Sequence, residues 1–342
     1  MHKKIYLSVI LGILFFVSCK DKKQYYEESG TVFHTLYTIK YEAPYALTDK
    51  IDAELQKFNL SLNPFNPNSI IAKVNNNEAV EVDEWFTEVF NKSMEVSRNS
   101  DGVFDITCAP LVNLWGFGFN KKDSVTPTMI DSLKTFVGYR KVHLEGKKVV
   151  KDDPRLLLNC SAIAKGYSCD VIARLLEKEG VENYMILIGG EVVVKGVNQN
   201  GVCWRTGINL PEDDPDGIKN NYDEIVQLCK KGAIATSGNY RNFYIKDGKK
   251  YAHTIDPRTG YPAEQSVLSA TIVANDCMTA DAYATAFMAM GLEKARQMAD
   301  TLPEIEYYVI YADESGKHQI EFSKGMLQYL PKRKTMINSD NS

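Results

Sequence analysis

The order of the predicted helices and strands is the feature that most constrains the fold of this chain. One amphipathic helix, Ser161 to Gly180, is followed by consecutive strands rather than by further alternation of strands and helices. These strands lie in Tyr184 to Val197, where a Gly-Gly break separates two of them, and around Cys203 to Asn209, Glu224 to Ile234 and Asn239 to Lys246. A turn at Thr236-Ser237-Gly238 is expected between the last two. A chain with few βαβ units favours an α+β fold, with mixed or antiparallel sheets and packed helices, over a doubly wound sheet.

Periodicity elsewhere adds helices and strands on both sides of this run. The helical patterns are Thr48 to Leu60, Asp83 to Arg98, Val125 to Val137, a segment that begins at Thr279, and Glu293 to Asp300. The strand-like patterns are Thr31 to Tyr41, three short strands in Val142 to Leu158, and Glu306 to Tyr311. With 342 residues, of which 44% are hydrophobic, the chain can bury a large core.

The N-terminus has the pattern of an export signal. Lysines precede an apolar run, Ile5 to Val17, that is too short to span a bilayer and fits a signal peptide. The run ends in Val-Ser-Cys19, which resembles a bacterial lipobox: residues 1–18 would be removed, Cys19 would carry the lipid, and residues 19–30 would form a polar tether. An ordinary signal peptide with an incidental cysteine is the alternative. The pattern therefore predicts a membrane-anchored lipoprotein of the bacterial cell envelope that faces the periplasm, with a flexible tail at residues 333–342.

Charge and cysteine spacing argue against several classes of function. A net charge of -4 without a basic face argues against nucleic-acid binding and favours a small-molecule or protein substrate. The cysteines form neither a CxxC pair nor a zinc pattern. Cys160, Cys169 and Cys277 lie among apolar or small residues, where buried thiols are expected. A disulfide remains possible in an exported protein.

Much of the candidate chemistry lies in Tyr251 to Met288. A β-like segment carries His253 and Asp256 and ends in a Pro-Arg-Thr-Gly turn. In the helix that follows, Asp281 and Thr285 are four residues apart, so a carboxylate and a hydroxyl project from one face. Two such oxygen donors can hold part of a magnesium shell. The structural alternatives are a solvated helix face, a structural histidine and an Asx turn.

Two other segments have the composition of ligand-binding elements. The loop around Trp115, Gly116 and Phe117 combines glycines, which let a backbone approach a flat ligand, with aromatic stacking surfaces. A core plug with glycine bends is the alternative. Lys165 lies in the first turn of its predicted helix, where the helix dipole disfavours a cation unless an anion is bound nearby. Lys165 is therefore either part of a phosphate site or an exposed, unpaired lysine.

Four blocks of the chain together resemble the ApbE family of FAD:protein FMN transferases. In chain order they are DGVFDITCAPLVNLWGFG, SAIAKGYSCDVIARLLEKEGVENYMILIGGEVVVKG, AIATSGNYRNFYIKDGKKYAHTIDPRTGYP and TADAYATAFMAMG. The resemblance spans about Gly30 to Leu330. It implies an ApbE-like (T-fold-related) single catalytic unit, here residues 31–332.

The resemblance implies a magnesium-dependent reaction with FAD as the substrate. FMN would pass through its phosphate to a threonine in an exported flavinylation motif of an acceptor flavoprotein, and AMP would leave. Such phosphoryl transfer requires charge neutralisation and an oriented nucleophile. Two alternatives use the same scaffold: hydrolysis of FAD to FMN and AMP, and flavin storage by a non-catalytic lipoprotein.

The resemblance also implies a role for individual residues. Asp281, Thr285 and the backbone carbonyl of Ala162 correspond to metal ligands, and His253 corresponds to the base that activates the acceptor hydroxyl. The implied FAD contacts are Phe33, Phe65, Trp115, Gly116, Phe117, Asn159, Lys165 and, through its backbone, Ile255. Asn159 stands where the family usually has an aspartate, and Ala284 stands where some members have a further acidic ligand.

Overall fold

The computed structural model describes residues 23–118, 125–213, 221–240, 243–246, 249–263 and 266–331. The strands among them are β1 (Gln24–Val32), β2 (Thr35–Ala43), β3 (Val142–Glu145), β4 (Lys148–Lys151), β5 (Tyr184–Ile188), β6 (Glu191–Lys195), β7 (Trp204–Asn209), β8 (Tyr222–Leu228), β9 (Gly232–Gly238), β10 (Phe243–Lys246), β11 (Lys249–Ala252), β12 (Ile255–Asp256), β13 (Tyr261–Pro262), β14 (Val267–Ala274), β15 (Ile305–Ala312) and β16 (His318–Phe322). The helices are α1 (Thr48–Leu62), α2 (Ile70–Asn75), α3 (Glu84–Asn99), α4 (Ala109–Leu114), α5 (Pro127–Lys134), α6 (Ala164–Lys178), α7 (Cys277–Met290) and α8 (Leu292–Ala299).

One eight-stranded sheet organises the chain, in the order β1-β2-β5-β6-β9-β14-β15-β16. Every neighbouring pair in it is antiparallel. The remaining strands form four separate two-stranded pairs. The predicted α+β class is therefore confirmed, because the large sheet is antiparallel and the helices pack on its face instead of connecting parallel strands.

The side chains of the central strands alternate between two cores. In β6, Val193 packs with α1 and α6, whereas Val192 and Val194 pack on the other face against the β7–β8 pair. In β9, Ala233 faces the helices and Ile234 faces the opposite side. Successive residues of a strand point to opposite faces of the sheet. Glu191 and Ser237 therefore point toward the helices, as Val193 and Ala233 do.

Helix α7 lies in the centre of the helical layer. Every residue of it except Thr285 is buried. It packs against β6, β9 and β14 on one side and against α3, α6 and α8 on the other. A helix that is apolar around its circumference belongs in a core, so a partly exposed threonine on it marks an opening in the packing.

The cysteines divide into a disulfide and buried thiols. Cys203 and Cys229 form a disulfide that joins the start of β7 to the end of β8. Cys160, Cys169 and Cys277 are buried free thiols, as predicted. The sequence left the disulfide open, because pairing depends on which strands meet.

Several predicted boundaries are wrong. The predicted tether at residues 19–30 enters the sheet, since β1 begins at Gln24 and pairs with β2. The predicted strand Glu224 to Ile234 is two strands, β8 and β9, and the expected turn at Thr236-Ser237-Gly238 is the end of β9. Val142 to Leu158 contains two strands rather than three.

The terminal predictions fall on segments that the structure does not describe. The signal peptide at residues 1–18, Cys19 and the tail at 333–342 lie outside the described residues. Within the described part of the chain, the helices are too short or too polar to cross a bilayer.

Candidate active site

A cavity of about 900 Å³ opens beside α7 and collects most of the residues predicted for the site. Among the predicted residues, its lining includes Phe65, Phe117, Asn159, Ala162, Lys165, His253, Ile255, Asp281 and Thr285. They come from loops, strands and two helices that are far apart in the chain. A volume of this size is typical of a pocket for a cofactor-sized ligand.

Three predicted flavin contacts lie outside the cavity lining. Phe33 is in the turn between β1 and β2 and packs on Phe58, with 5.1 Å between the ring centroids. Trp115 is 8% exposed and donates its indole N–H to the carbonyl of Gly260 at 2.8 Å. Gly116 adopts a left-handed φ of +82° in the same turn. Trp115 is therefore packed in a core cluster, whereas Phe117, two residues later, lines the cavity.

Helices α6 and α7 meet at Gly166. A Cβ at this position would lie 2.2 Å from the carbonyl oxygen of Cys277 and 2.8 Å from Cβ of Asp281. The backbone N–H of Gly166 donates to Oδ2 of Asp281 at 2.9 Å. This N–H is one of the first in α6, which have no partner within the helix, so the carboxylate of α7 caps α6.

Asp170 fixes the same pair of helices one turn farther along α6. Its two carboxylate oxygens accept the backbone N–H groups of Cys277 and Met278, at 2.9 and 2.8 Å. Burial raises the pKa of this carboxyl to about 7, and the two N–H donors oppose that shift. The start of α7, and with it Asp281, is therefore held against α6 by reciprocal contacts from both helices.

Lys165 links two acidic side chains at the wall of the cavity. Its ammonium lies 2.5 Å from Oε1 of Glu191 and 3.6 Å from Oδ1 of Asp281. Burial lowers the pKa of Lys165, but the charges of Asp281 and Glu191 outweigh it and the net shift is upward. Lys165 is therefore charged and paired, and it is not the exposed lysine of the structural alternative.

Glu191 was not predicted from the sequence, although it is the most unusual polar residue of the site. It is 3% exposed, and its Oε2 is buried without a hydrogen-bond partner. Burial raises the pKa of its carboxyl, while the Lys165 ammonium opposes that shift. Gly189 and Gly190, both with positive φ, form the tight turn that brings β6 back and delivers Glu191 to Lys165.

The hydroxyl of Thr285 is hydrogen-bonded to that of Ser237, with 3.2 Å between the oxygens. Ser237 is in β9, on the strand face that points toward the helices. If Thr285 presents its lone pairs to a cation, its proton must go to an acceptor, and the Ser237 oxygen is in position to accept it. The sequence signal for Ser237 was its Thr-Ser-Gly context, which was interpreted as a turn.

The donors at this wall fit a magnesium ion. Magnesium prefers oxygen ligands and keeps part of its water shell, so a carboxylate, a hydroxyl and a carbonyl suffice as protein ligands. Asp281, Thr285 and Ala162 line the cavity and would supply them, and the buried Oε2 of Glu191 belongs to a carboxylate in the same wall. The N–H of Gly166, which would be the helical partner of the Ala162 carbonyl, is directed to Asp281 instead. Among the described residues, no group of three His, Cys, Asp or Glu side chains could hold a metal ion.

His253 lies at the end of a row of aromatic rings that reaches the cavity at Phe117. The row runs from Trp115 through Tyr251 and Tyr244 to Phe117, with stacked rings 5.2 to 5.6 Å apart. Phe117 contacts His253 edge to face, at 6.4 Å between centroids. His253 is partly exposed and lines the cavity. This arrangement positions an imidazole at a surface suited to a flat ligand.

The Asp-Pro-Arg-Thr-Gly segment is a structural turn. Asp256 is buried, and its carboxylate accepts from the backbone N–H of Arg258 at 2.9 Å and from the guanidinium at 3.0 and 2.8 Å. This is an Asx turn closed by a bidentate ion pair. The turn holds the end of β12, which carries Ile255, and His253 precedes this strand by two residues.

Known proteins resemble this chain over most of its length. Residues 33–309 match the model of the ApbE family. The FAD:protein FMN transferase of Vibrio cholerae is 35% identical over 91% of this chain and 95% of its own length, and that of Escherichia coli K12 is 31% identical over 85% and 88%.

Solved structures show the same similarity. The flavin transferase ApbE from Vibrio cholerae superposes with a TM-score of 0.81 at 33% identity, covering 90% of this chain and 100% of that one. The flavinyl transferase ApbE of Pseudomonas stutzeri, in its apo form, gives 0.79 at 26% identity over 90% and 97%. The match over most of the chain, in sequence and in fold, shows that this protein is a member of the ApbE family.

Proposed function

We propose that this protein transfers FMN from FAD to a threonine of an acceptor flavoprotein, in a magnesium-dependent reaction that releases AMP. The observation that supports it most directly is the convergence of Asp281, Thr285, Lys165 and His253 on one cavity of about 900 Å³. Two relatives in the ApbE family bear the name FAD:protein FMN transferase.

The cationic and acidic groups would act on the diphosphate. Lys165 would pair with its negative charge, which must be neutralised before an oxygen nucleophile can approach phosphorus. Asp281, Thr285 and the Ala162 carbonyl would hold magnesium, which when bound polarises the phosphoryl oxygens. Phe117 and Phe65 line the cavity and offer aromatic surface to the flavin ring.

His253 would accept the proton of the acceptor threonine. Its ring contacts Phe117 edge to face and is partly exposed in the cavity, where a second protein can reach it. A neutral imidazole can accept the proton of a hydroxyl that attacks phosphorus, as a general base does.

The test uses the chain from residue 23 onward, FAD, magnesium and an acceptor protein that carries the threonine. Flavin fluorescence that stays on the acceptor in a denaturing gel, with one AMP released per label, supports transfer. Free FMN and AMP without labelling would instead indicate FAD hydrolysis, and intact bound FAD would indicate storage. Asp281→Ala should abolish labelling, whereas Asp131→Asn, at an exposed position on α5, should not change it.

We also propose that the protein acts in the bacterial cell envelope, anchored through a lipid on Cys19. The lipobox-like start motivates this, and the Cys203–Cys229 disulfide supports an oxidising compartment. The full chain should partition with membranes and incorporate labelled fatty acid, and Cys19→Ala should lose both properties. Soluble, unlabelled wild-type protein would contradict the anchor.

A further inference from the structure

Lys165 lies beside the carboxylate that would hold the cation, so its contacts affect that site. The role inferred below for Glu191 rests on the proposed function. The ammonium of Lys165 lies beside the carboxylate of Asp281, which would bind the divalent ion. A permanent ion pair between the two would fill the site with an internal cation. The structure shows instead that Lys165 is 3.6 Å from Oδ1 of Asp281, which is beyond hydrogen-bond distance.

Glu191 accounts for this separation. Its Oε1 accepts from the Lys165 ammonium at 2.5 Å, a charge-assisted hydrogen bond that is much closer than the contact with Asp281. Oδ2 of Asp281 is occupied by the N–H of Gly166, so Oδ1 is the oxygen left for a cation. The position of Lys165 between the two acids therefore decides whether Oδ1 is available.

The backbone holds Glu191 in place for this role. A Cβ at Gly189 would lie 3.1 Å from Oε2 of Glu191 and 3.1 Å from Cδ of Lys165, so the turn before β6 closes directly over the pair. Glu191 is the first residue of β6 and has the helix-facing parity of Val193. Neither Glu191 nor the turn can move away without disturbing the central sheet.

We propose that Glu191 is a positioning residue of the cation site: it draws the Lys165 ammonium away from Asp281 and so keeps Oδ1 of Asp281 open for a divalent ion. Without the charge of Glu191, the nearest carboxylate for Lys165 is Asp281. A partly buried ammonium pairs with the nearest available carboxylate, because leaving its charge unpaired beside the protein interior is costly. Lys165 would then compete with the metal.

The test measures binding of Mg²⁺ alone, by calorimetry at pH 8 without FAD, so that it does not depend on transfer activity. Glu191→Gln keeps the shape of the side chain and removes its charge, and it should weaken Mg²⁺ binding about tenfold. Lys165→Gln removes the competing cation and should tighten binding by a similar factor. Glu182→Gln, at an exposed position before β5, is the matched control and should bind as the wild type does.

The double variant separates this role from direct coordination. If Glu191 acts through Lys165, the Glu191→Gln/Lys165→Gln protein should bind Mg²⁺ close to the wild-type affinity. In that variant the ammonium that competes with Mg²⁺ is absent, so the carboxylate that holds it is no longer needed. A double variant as weak as Glu191→Gln would overturn the proposal, and so would a single Glu191→Gln variant that binds normally. Circular dichroism in EDTA shows whether Glu191→Gln folds. If it does not, the Mg²⁺ affinity of Lys165→Gln is the test: tighter binding supports the proposal, and unchanged or weaker binding overturns it.

The outcome is distinguishable from a failure of the proposed function. A wild-type protein that binds Mg²⁺ but labels no acceptor would contradict transfer and leave the role of Glu191 standing. A wild-type protein that labels the acceptor while Glu191→Gln binds Mg²⁺ normally would overturn only the role of Glu191. No binding of Mg²⁺ to the wild type would overturn both.

Discussion

The backbone N–H of Gly166 donates a 2.9 Å hydrogen bond to the carboxylate of Asp281, and this contact joins the two helices that build the site. Lys165 precedes Gly166, and Asp281 and Thr285 occupy one face of α7. The distance between the helices therefore sets the distance between the groups that would act on phosphate and those that would hold metal. Small changes in packing at this point should be measurable in both stability and binding.

Gly166→Ala should separate the helices. The added methyl would lie 2.2 Å from a backbone carbonyl, which cannot rotate away. Overpacking of this kind costs about 1–3 kcal/mol of unfolding free energy. Urea unfolding should show this loss, and Mg²⁺ binding should weaken with it. Gly232→Ala is the control, because its Cβ would meet the nearest atom at 3.7 Å; equal effects of the two substitutions would argue against close packing at Gly166.

Ser237→Ala should disorient the Thr285 hydroxyl. The substitution removes the partner that lies 3.2 Å from Thr285 Oγ1, a hydrogen bond of about 1 kcal/mol. We expect about fivefold weaker Mg²⁺ binding, measured by calorimetry, with little change in melting temperature in EDTA. Ser237→Thr retains the hydroxyl and should recover most of the affinity. Equal affinities of the alanine variant and the wild type would show that Thr285 does not depend on this partner.

Asp170 should make stability depend on pH in a defined direction. Burial raises its pKa from an ordinary value of 3.8 to about 7 in the folded protein. Between these values the folded state keeps a proton that the unfolded state has released, so its contribution to stability is complete below about pH 4 and is lost as pH rises through 7. Unfolding free energies of the wild type and Asp170→Asn, measured from pH 4 to 8, should diverge in slope over this range. Parallel curves would contradict the raised pKa.

Reduction of the Cys203–Cys229 disulfide should destabilise the protein. The bond closes a loop with a sequence separation of 26 residues, for which the loss of chain entropy in the unfolded state corresponds to about 3 kcal/mol. Urea unfolding with and without dithiothreitol measures the difference. The Cys203→Ser/Cys229→Ser variant should be insensitive to the reductant. A variant that still responds would mean that the reductant acts elsewhere.

Local sequence was sufficient for the main elements of the site. The spacing of Asp281 and Thr285 on a helix, and the position of Lys165 in the first turn of another, follow from a repeat of 3.6 residues. The fold class was also predictable, because a chain with few βαβ units favours α+β over a doubly wound parallel sheet. The resemblance to the ApbE family was confirmed by comparison of both sequence and structure.

Local sequence failed where the role of a residue depends on what it meets. Phe33 matched a flavin contact by position, but the β1–β2 turn directs it to Phe58 in the core. Ser237 was predicted in a turn, yet it lies in a central strand whose parity points it at Thr285. In the sequence Glu191 is an acidic residue after two glycines, and nothing local indicates its ion pair, because its partner Lys165 is 26 residues away in the chain.

The sequence by itself therefore determined the helices, most of the strands, the family and the identity of the groups that could bind metal and phosphate, since each of these depends on short-range periodicity or on contiguous motifs. Only the tertiary structure decided which of those groups share a cavity, which cysteines pair, and that Lys165 lies closer to Glu191 than to Asp281. The physical reason is that burial, strand register and helix contact at Gly166 are properties of segments brought together from distant parts of the chain.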